Sequence, residues 1–293
     1  MCDGTTVLSQ KHYAEDILRA SGFWDTHPLS TILVPHNRLS KDHCEPSPDR
    51  VFHLRYRGMV GSLGYLVNMT RPDLTFAYSE LSKYVQSPGL SHMHAAEHAL
   101  RYLRGTFDKS LKFSRDTPLV DTIWGWVDSD WAGDTDTRRS HAEYVLMLNG
   151  GPISQDSVAL STSEAEYMAA SEVGKEIQYL RALLHDVGFP QLSPTNVYED
   201  NLACIAMSTN PVRRKSSRHI DMRVHYCRKL YTAGVMKLIP LRTHLMVADA
   251  LTKSLPGPAL SKHRDIMMGH VSFFARLLHC GSHPFYSRFL HSA

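Results

Sequence analysis

No apolar run in the 293-residue chain is long enough to span a bilayer. The N-terminus, MCDGTTVLSQKHYAED, also lacks the apolar core of a signal peptide. The five cysteines (Cys2, Cys44, Cys204, Cys227 and Cys280) show no CxxC spacing. That argues against a disulfide framework and a cysteine zinc site, and it points to a reducing compartment. We therefore expect an intracellular protein, cytoplasmic or nuclear, and not a secreted one. The 18 histidines are scattered, with no HExxH pattern and no Cys/His cluster, so they read as surface or packing residues. What remains is ordinary: 43% hydrophobic and 21% charged residues, in a length that allows two modest domains.

Charge is unevenly placed. Between 121 and 200 there are 14 Asp/Glu against 4 Lys/Arg, a net of −10; between 201 and 270 there are 12 Lys/Arg against 3 Asp/Glu, a net of +9. Within these stretches four acids stand in informative settings. Asp128 (GWVDSDWAGD) and Asp200 (VYEDN) end strand-like apolar runs. Glu166 (STSEAEYMAA) and Asp249 (VADALTK) sit in the first turns of helix-like segments. Four hard oxygen donors from two strands and two helices suit Mg²⁺ or Mn²⁺ rather than zinc. A carboxylate-bound metal pair is a device for cutting a phosphodiester, and a basic stretch beside it suits a polyanion. The blander alternative is a pair of solvated faces of opposite sign.

The chain divides near Thr117-Pro118. Before it the pattern is helical. A helix is expected over 9–21, with Ser9 as N-cap and Gly22 past its end. A loop rich in Pro, His, Ser and Asp covers 25–50. Apolar-periodic segments follow at 55–69, 73–85 and 92–105, the last stopped by Gly105. After it, strands are expected at 122–128, 141–148 and 157–161, with a hairpin turn at Asn149-Gly150-Gly151. Ser161 and Glu164 form a capping box for a long helix to Gly188. A strand at 195–200, a helix at 201–209, a helix through IDMRVHYCRKLYTAG, a strand at 235–241 and a helix at 246–255 complete the pattern. The order βββαβ(α)αβα implies an α/β protein with a mixed five-stranded sheet flanked by helices.

Several motifs, taken in order, carry a resemblance. They are VDSDWAGD with RRS, ALSTSEAEYMA, YEDN, NPVRRKSSRHIDMRVHY and VADALTK. Together they resemble the ribonuclease H of copia-type LTR retrotransposon Pol polyproteins. YRGMVGSLGYLVNMTRPDLTFAYSELSKY and HALRYLRGT resemble the segment that joins reverse transcriptase to that domain. The resemblance covers roughly residues 5–269. It implies a ribonuclease H-like fold over 117–269, preceded by a small helical remnant of the reverse transcriptase thumb or connection over 1–116. It leaves a tail, 270–293, unassigned.

The resemblance also implies a chemistry: hydrolysis of the RNA strand of an RNA–DNA hybrid with two Mg²⁺ or Mn²⁺ ions. Asp128, Glu166, Asp200 and Asp249 would be both metal ligands and catalytic residues. Asp130 and Glu164 are neighbouring acids in secondary roles, and Glu199 should face away from Asp200 on its strand. Arg213, Arg214, Lys215 and Arg218 would contact backbone phosphates. His219 and Asp221 would be structural. His244 is the candidate by position for assisting product release, with an ordinary loop histidine as its alternative. The remainder of a Pol polyprotein, with its reverse transcriptase palm and integrase, would be the partner, and no membrane is implied.

Three departures keep a second reading open. The segment GGPISQDSVALST is about five residues shorter than its counterparts in the family, which should shorten or distort the second and third strands. Glu143 stands where the family has Gly before Tyr. Residues 271–293 match nothing in the family. No Tyr-x-Asp-Asp motif is present, so no DNA polymerisation is expected. The second reading is a decayed or co-opted element remnant that folds, and binds nucleic acid without cleaving it. An integrase-type transposase would need another carboxylate order and a His/Cys zinc module.

Overall fold

The computed structural model describes residues 4–35, 38–130, 136, 140–160, 165–209 and 218–279; the side chains at 130, 140, 141, 156–160, 165–167, 207, 218–221, 278 and 279 lie outside the description.

The first part of the chain is mainly helical: β1 (Thr5–Leu8), α1 (Lys11–Ala20), α2 (Arg50–Met69), α3 (Thr75–Ser82), α4 (Leu90–Thr106) and β2 (Leu111–Ser114). Three sequence expectations are corrected here. The cap position of α1 is Gln10, which makes no side-chain cap, while Ser9 Oγ accepts from Lys11 N at 3.2 Å. Helix α2 starts at Arg50, not 55, because Asp49 Oδ2 accepts from Val51 N (2.9 Å) and Phe52 N (3.1 Å) and so satisfies the first free donors. Gly105 does not stop α4. A Cβ there would come within 2.9 Å of Pro28, so the glycine serves close packing of the 25–50 loop.

β1 and β2 form an antiparallel ribbon, with Leu8 opposite Leu111. A two-stranded sheet was not expected in this part. Its partners lie about a hundred residues apart, and four-residue strands carry almost no periodic signal.

The second part contains β3 (Trp124–Asp130), β4 (Ser140–Leu148), β5 (Gly151–Leu160), α5 (Ala165–Asp186), β6 (Thr195–Glu199), α6 (Leu202–Thr209), α7 (Arg218–Thr232), β7 (Met236–Pro240), α8 (Asp249–Thr252), α9 (Gly257–Met267) and α10 (Phe273–His279). The sheet order is β5-β4-β3-β6-β7. β3, β4 and β5 are antiparallel, and β6 and β7 run parallel to β3. This is the ribonuclease H-like mixed sheet that the motif order implies.

The hairpin is longer than expected. Asn149 (φ 50°) and Gly150 (φ 79°) make a two-residue turn, so pairing resumes at once with Leu148 opposite Gly151. The third strand therefore begins at 151 instead of 157. Its only described irregularity is a register shift at Leu146/Met147. Gly125, in the middle of β3, is required: a Cβ would lie 2.1 Å from the Val145 carbonyl oxygen.

Alternation along the strands divides the sheet into two faces. Val127, Ala142, Tyr144, Leu146, Val197 and Leu238 pack under α5 and α7. Trp124, Trp126, Val145, Met147, Tyr198 and Ile239 pack under the segment 245–277. Two further differences concern that second face. The last expected helix, 246–255, is only the four-residue α8. Residues 273–279, within the segment the sequence left unassigned, form α10. Phe273 is 2% exposed, stacks on Trp124 at 5.5 Å and meets Trp126 edge-on at 4.8 Å.

Candidate functional site

Asp128 follows Trp126 onto the face covered by α8. There it meets Asp249, the first residue of α8. Asp128 is 3% exposed and Asp249 7%. The preceding residues, Met246, Val247 and Ala248, are fully buried, and they seat the start of the helix against the sheet. The last two residues of the same motif reach back across the gap. Thr252 Oγ1 donates to Asp128 Oδ2 at 2.6 Å. Lys253 Nζ donates to Asp249 Oδ1 at 2.8 Å and lies 3.5 Å from Asp128 Oδ2.

Two carboxylates this close, removed from water, resist being charged together. Burial first, and then the neighbouring Asp128 with which it shares a hydrogen bond, raise the Asp249 pKa to about 7, although Lys253 works in the opposite direction. A carboxylate pair desolvated and held together needs a proton or a cation between its members. Its hard oxygen donors match a divalent cation of the Mg²⁺ class.

Asp200 approaches from the adjacent strand. Trp126 on β3 is level with Tyr198 on parallel β6, so Asp128 and Asp200 each lie two residues beyond that pair, at the same carboxyl edge. Continued one residue past the strand, alternation carries Asp200 to the face of Asp128 and leaves Glu199 on the other. Asp200 is half-buried and accepts from Thr243 Oγ1 at 2.9 Å. Glu199 is buried and accepts from Asn201 N at 3.0 Å, which closes the turn into α6. His244 is exposed, next to Thr243 in the turn between β7 and α8.

The structure thus brings Asp128 and Asp249 into contact and sets Asp200 at the same edge. Glu166 is the second residue of α5, whose Ala169, Ala170 and Val173 pack on the opposite face of the sheet; its side chain lies outside the described residues. Arg213, Arg214, Lys215 and Glu164 also lie outside them, as do the side chains of Asp130, Arg218, His219 and Asp221. Among the described residues, no group of three or more metal-binding side chains converges.

Sequence reasoning missed three residues here. Thr252 and Lys253 stand inside the VADALTK motif, three and four positions after Asp249, where a helical turn brings them to the same side. Glu143, singled out only as a departure, is paired in register with Asp128 and is 1% exposed, so β4 buries a further acid on the strand next to Asp128.

The mixed sheet in the order β5-β4-β3-β6-β7, with acids gathered at the carboxyl edge of β3 and β6, defines a ribonuclease H-like α/β protein. RNase H1 isolated from compost by a metagenomic approach has a similar structure, with 14% sequence identity and a TM-score of 0.36 over 49% of this chain and 98% of that one. No family model matches the chain. It is 37% identical over 257 residues to the retrovirus-related Pol polyprotein from transposon TNT 1-94 of Nicotiana tabacum, covering 85% of this chain and 19% of the relative. It is 34% identical over 253 residues to the corresponding polyprotein from transposon RE2 of Arabidopsis thaliana, covering 85% and 17%. The chain belongs to the copia-type, retrovirus-related Pol polyproteins of transposons. It spans about a fifth of the length of these relatives.

Proposed function

We propose that the chain carries the ribonuclease H function of a retrotransposon Pol polyprotein and hydrolyses the RNA strand of RNA–DNA hybrids. The observation that carries this reading is the buried Asp128–Asp249 pair at the carboxyl edge of the sheet, with Asp200 just past the end of the neighbouring strand. Asp128, Asp200 and Asp249 would hold two Mg²⁺ or Mn²⁺ ions, and Glu166 would complete the set. When bound, such ions lower the pKa of an attacking water and stabilise the leaving 3′-oxygen.

The chain's own groups set the geometry. The Thr252 hydroxyl fixes the rotamer of Asp128, and Thr243 fixes that of Asp200. The Trp124–Trp126–Phe273 cluster packs on the face of the sheet that carries Asp128. Arg213, Arg214, Lys215 and Arg218 would position the hybrid through backbone phosphates. Discrimination of RNA from DNA would rest on the 2′-hydroxyl and groove shape rather than on base edges. The reverse transcriptase palm and integrase of a longer polyprotein would be its partners. No helix among the described residues is long and apolar enough to cross a membrane.

The test is cleavage of an end-labelled RNA–DNA hybrid with Mg²⁺. Turnover by the wild type and its loss in Asp128→Asn are expected. No cleavage, or cleavage unchanged in the variant, sinks the reading.

One observation favours the second reading, a remnant that folds and binds nucleic acid without cutting it. Glu143 buries an additional acidic side chain in register with Asp128, where the family has Gly. If Glu143→Gly restores cleavage to an inactive wild type, this reading prevails.

A further inference from the structure

Lys253 places a positive charge on the two carboxylates that define the site. Its ammonium bonds Asp249 Oδ1 at 2.8 Å and lies 3.5 Å from Asp128 Oδ2. Any divalent cation bridging Asp128 and Asp249 has to share those oxygens with it. The backbone fixes the base of this side chain, because Lys253 N donates to Asp249 O at 3.0 Å. The head group is less constrained: the side chain is 40% exposed, whereas those of Asp128 and Asp249 are 4% and 10% exposed. The ammonium can therefore leave toward solvent by rotation of its own stem, with no opening of the core. Thr252 contrasts with it. Its hydroxyl is a neutral donor to Asp128 and is buried, so it orients the carboxylate without competing for charge.

We infer that Lys253 is an intramolecular counter-ion of the Asp128–Asp249 pair, one that a divalent cation must displace, so that this side chain sets the metal concentration at which the site fills. The ammonium is a single charge spread over both side chains, 2.8 Å from Asp249 Oδ1 and 3.5 Å from Asp128 Oδ2, so a cation of higher charge competes for the same oxygens. A lysine with this role delays loading until metal is abundant, and it holds the fold together when metal is scarce. The inference rests on the metal-site reading of these acids proposed above.

The experiment uses the full chain in two formats: Mn²⁺ titration by calorimetry and thermal unfolding in EDTA. Lys253→Met is expected to unfold at a lower temperature in EDTA and to bind Mn²⁺ about two- to fivefold more tightly, the scale of a partly exposed ion pair. Lys253→Arg, which keeps the charge, should behave like the wild type. Lys253→Gln replaces Lys253→Met in the same titration if the methionine variant does not fold. Mn²⁺ binding by the neutral variant that is equal to or weaker than wild type overturns the inference. Asp128→Asn separates the two levels. If it weakens Mn²⁺ binding while Lys253→Met leaves it unchanged, only the counter-ion role fails. If neither the wild type nor the neutral variant binds Mn²⁺, the metal-site reading falls and the inference falls with it. Binding by the neutral variant alone supports both.

Discussion

Replacing Asp249 by Asn should stabilise the protein, and only at the upper end of the pH range. The reason lies in the Asp128–Asp249 contact. Asp249 carries a pKa of about 7 in the folded protein against an ordinary 3.8, raised by burial and then by Asp128. The folded state therefore keeps a proton that the unfolded chain releases as pH rises from 4 to 7. Stability falls with pH wherever the native state holds the extra proton. The penalty is absent below the unfolded pKa and complete above the folded one. At about 1.4 kcal/mol per pH unit it has a ceiling near 4 kcal/mol.

Asn cannot ionise, and its amide can donate to Asp128 as protonated Asp249 does. Lys253 loses its bond to Asp249 in the variant, which offsets part of the gain, so we expect a net stabilisation of about 2 kcal/mol near pH 8 and close to none near pH 4. Urea denaturation of both proteins in EDTA at the two pH values measures it. Groups remote from Asp128, Asp249 and Lys253 are untouched by the substitution, so the difference between the two proteins reports on this cluster alone. A variant no more stable at the higher pH, or a difference that does not change with pH, would refute the argument. Mn²⁺ should narrow the gap by stabilising the wild type alone.

Two further outcomes follow from buried groups away from these acids. Arg71 and Asp73 are both buried and paired through two bonds of 2.8 Å, with Thr106 and Tyr102 completing the network. Burial works against both charges, yet their attraction outweighs it, so Asp73 stays below its ordinary range and Arg71 above. Asp73→Ala strands the guanidinium and should cost about 3–5 kcal/mol in urea unfolding, whereas the double replacement Arg71→Met/Asp73→Leu should lose much less; equal losses would disprove the charge argument. Phe273→Ala opens a hole beside Trp124 and Trp126 and should cost about 3–5 kcal/mol, with a red-shifted tryptophan emission; an unchanged spectrum and midpoint would mean that α10 does not cap this core.

The elements legible in the sequence were those with their own local signal. β3 and β6 are apolar runs ended by acids, α5 repeats its apolar face at Ala169, Val173, Ile177 and Leu180, and Asn149-Gly150 announces its turn. The elements that were not legible depend on distant partners. β1 pairs with β2 from the far side of four helices. α10 is apolar for reasons visible only once Trp124 lies beneath it. The acids were found because each sits at an element boundary in a recognisable motif. Lys253 and Thr252 were overlooked for the same reason that Glu143 was undervalued: their meaning lies in contact with Asp128, which local spacing does not encode.

The helical first part also bears on the acids, although it contributes none of them. α8 is four residues long, too short to hold itself. Its Leu251 packs on the sheet face, while Ala250 and the following Leu260 belong to the core formed by α1 to α4. Ser254 Oγ donates to Leu33 O at 3.1 Å, which ties the end of the motif to the 25–50 loop. Asp136, between β3 and β4 in the chain, accepts from Lys41 N (2.9 and 3.1 Å) and Tyr84 Oη (3.1 Å). Both Asp136 and the segment that carries Asp249 thus bond to residues before 117. The two carboxylates meet because two cores press on one short helix. The segment that resembles a reverse transcriptase connection therefore packs against the short helix that begins with Asp249.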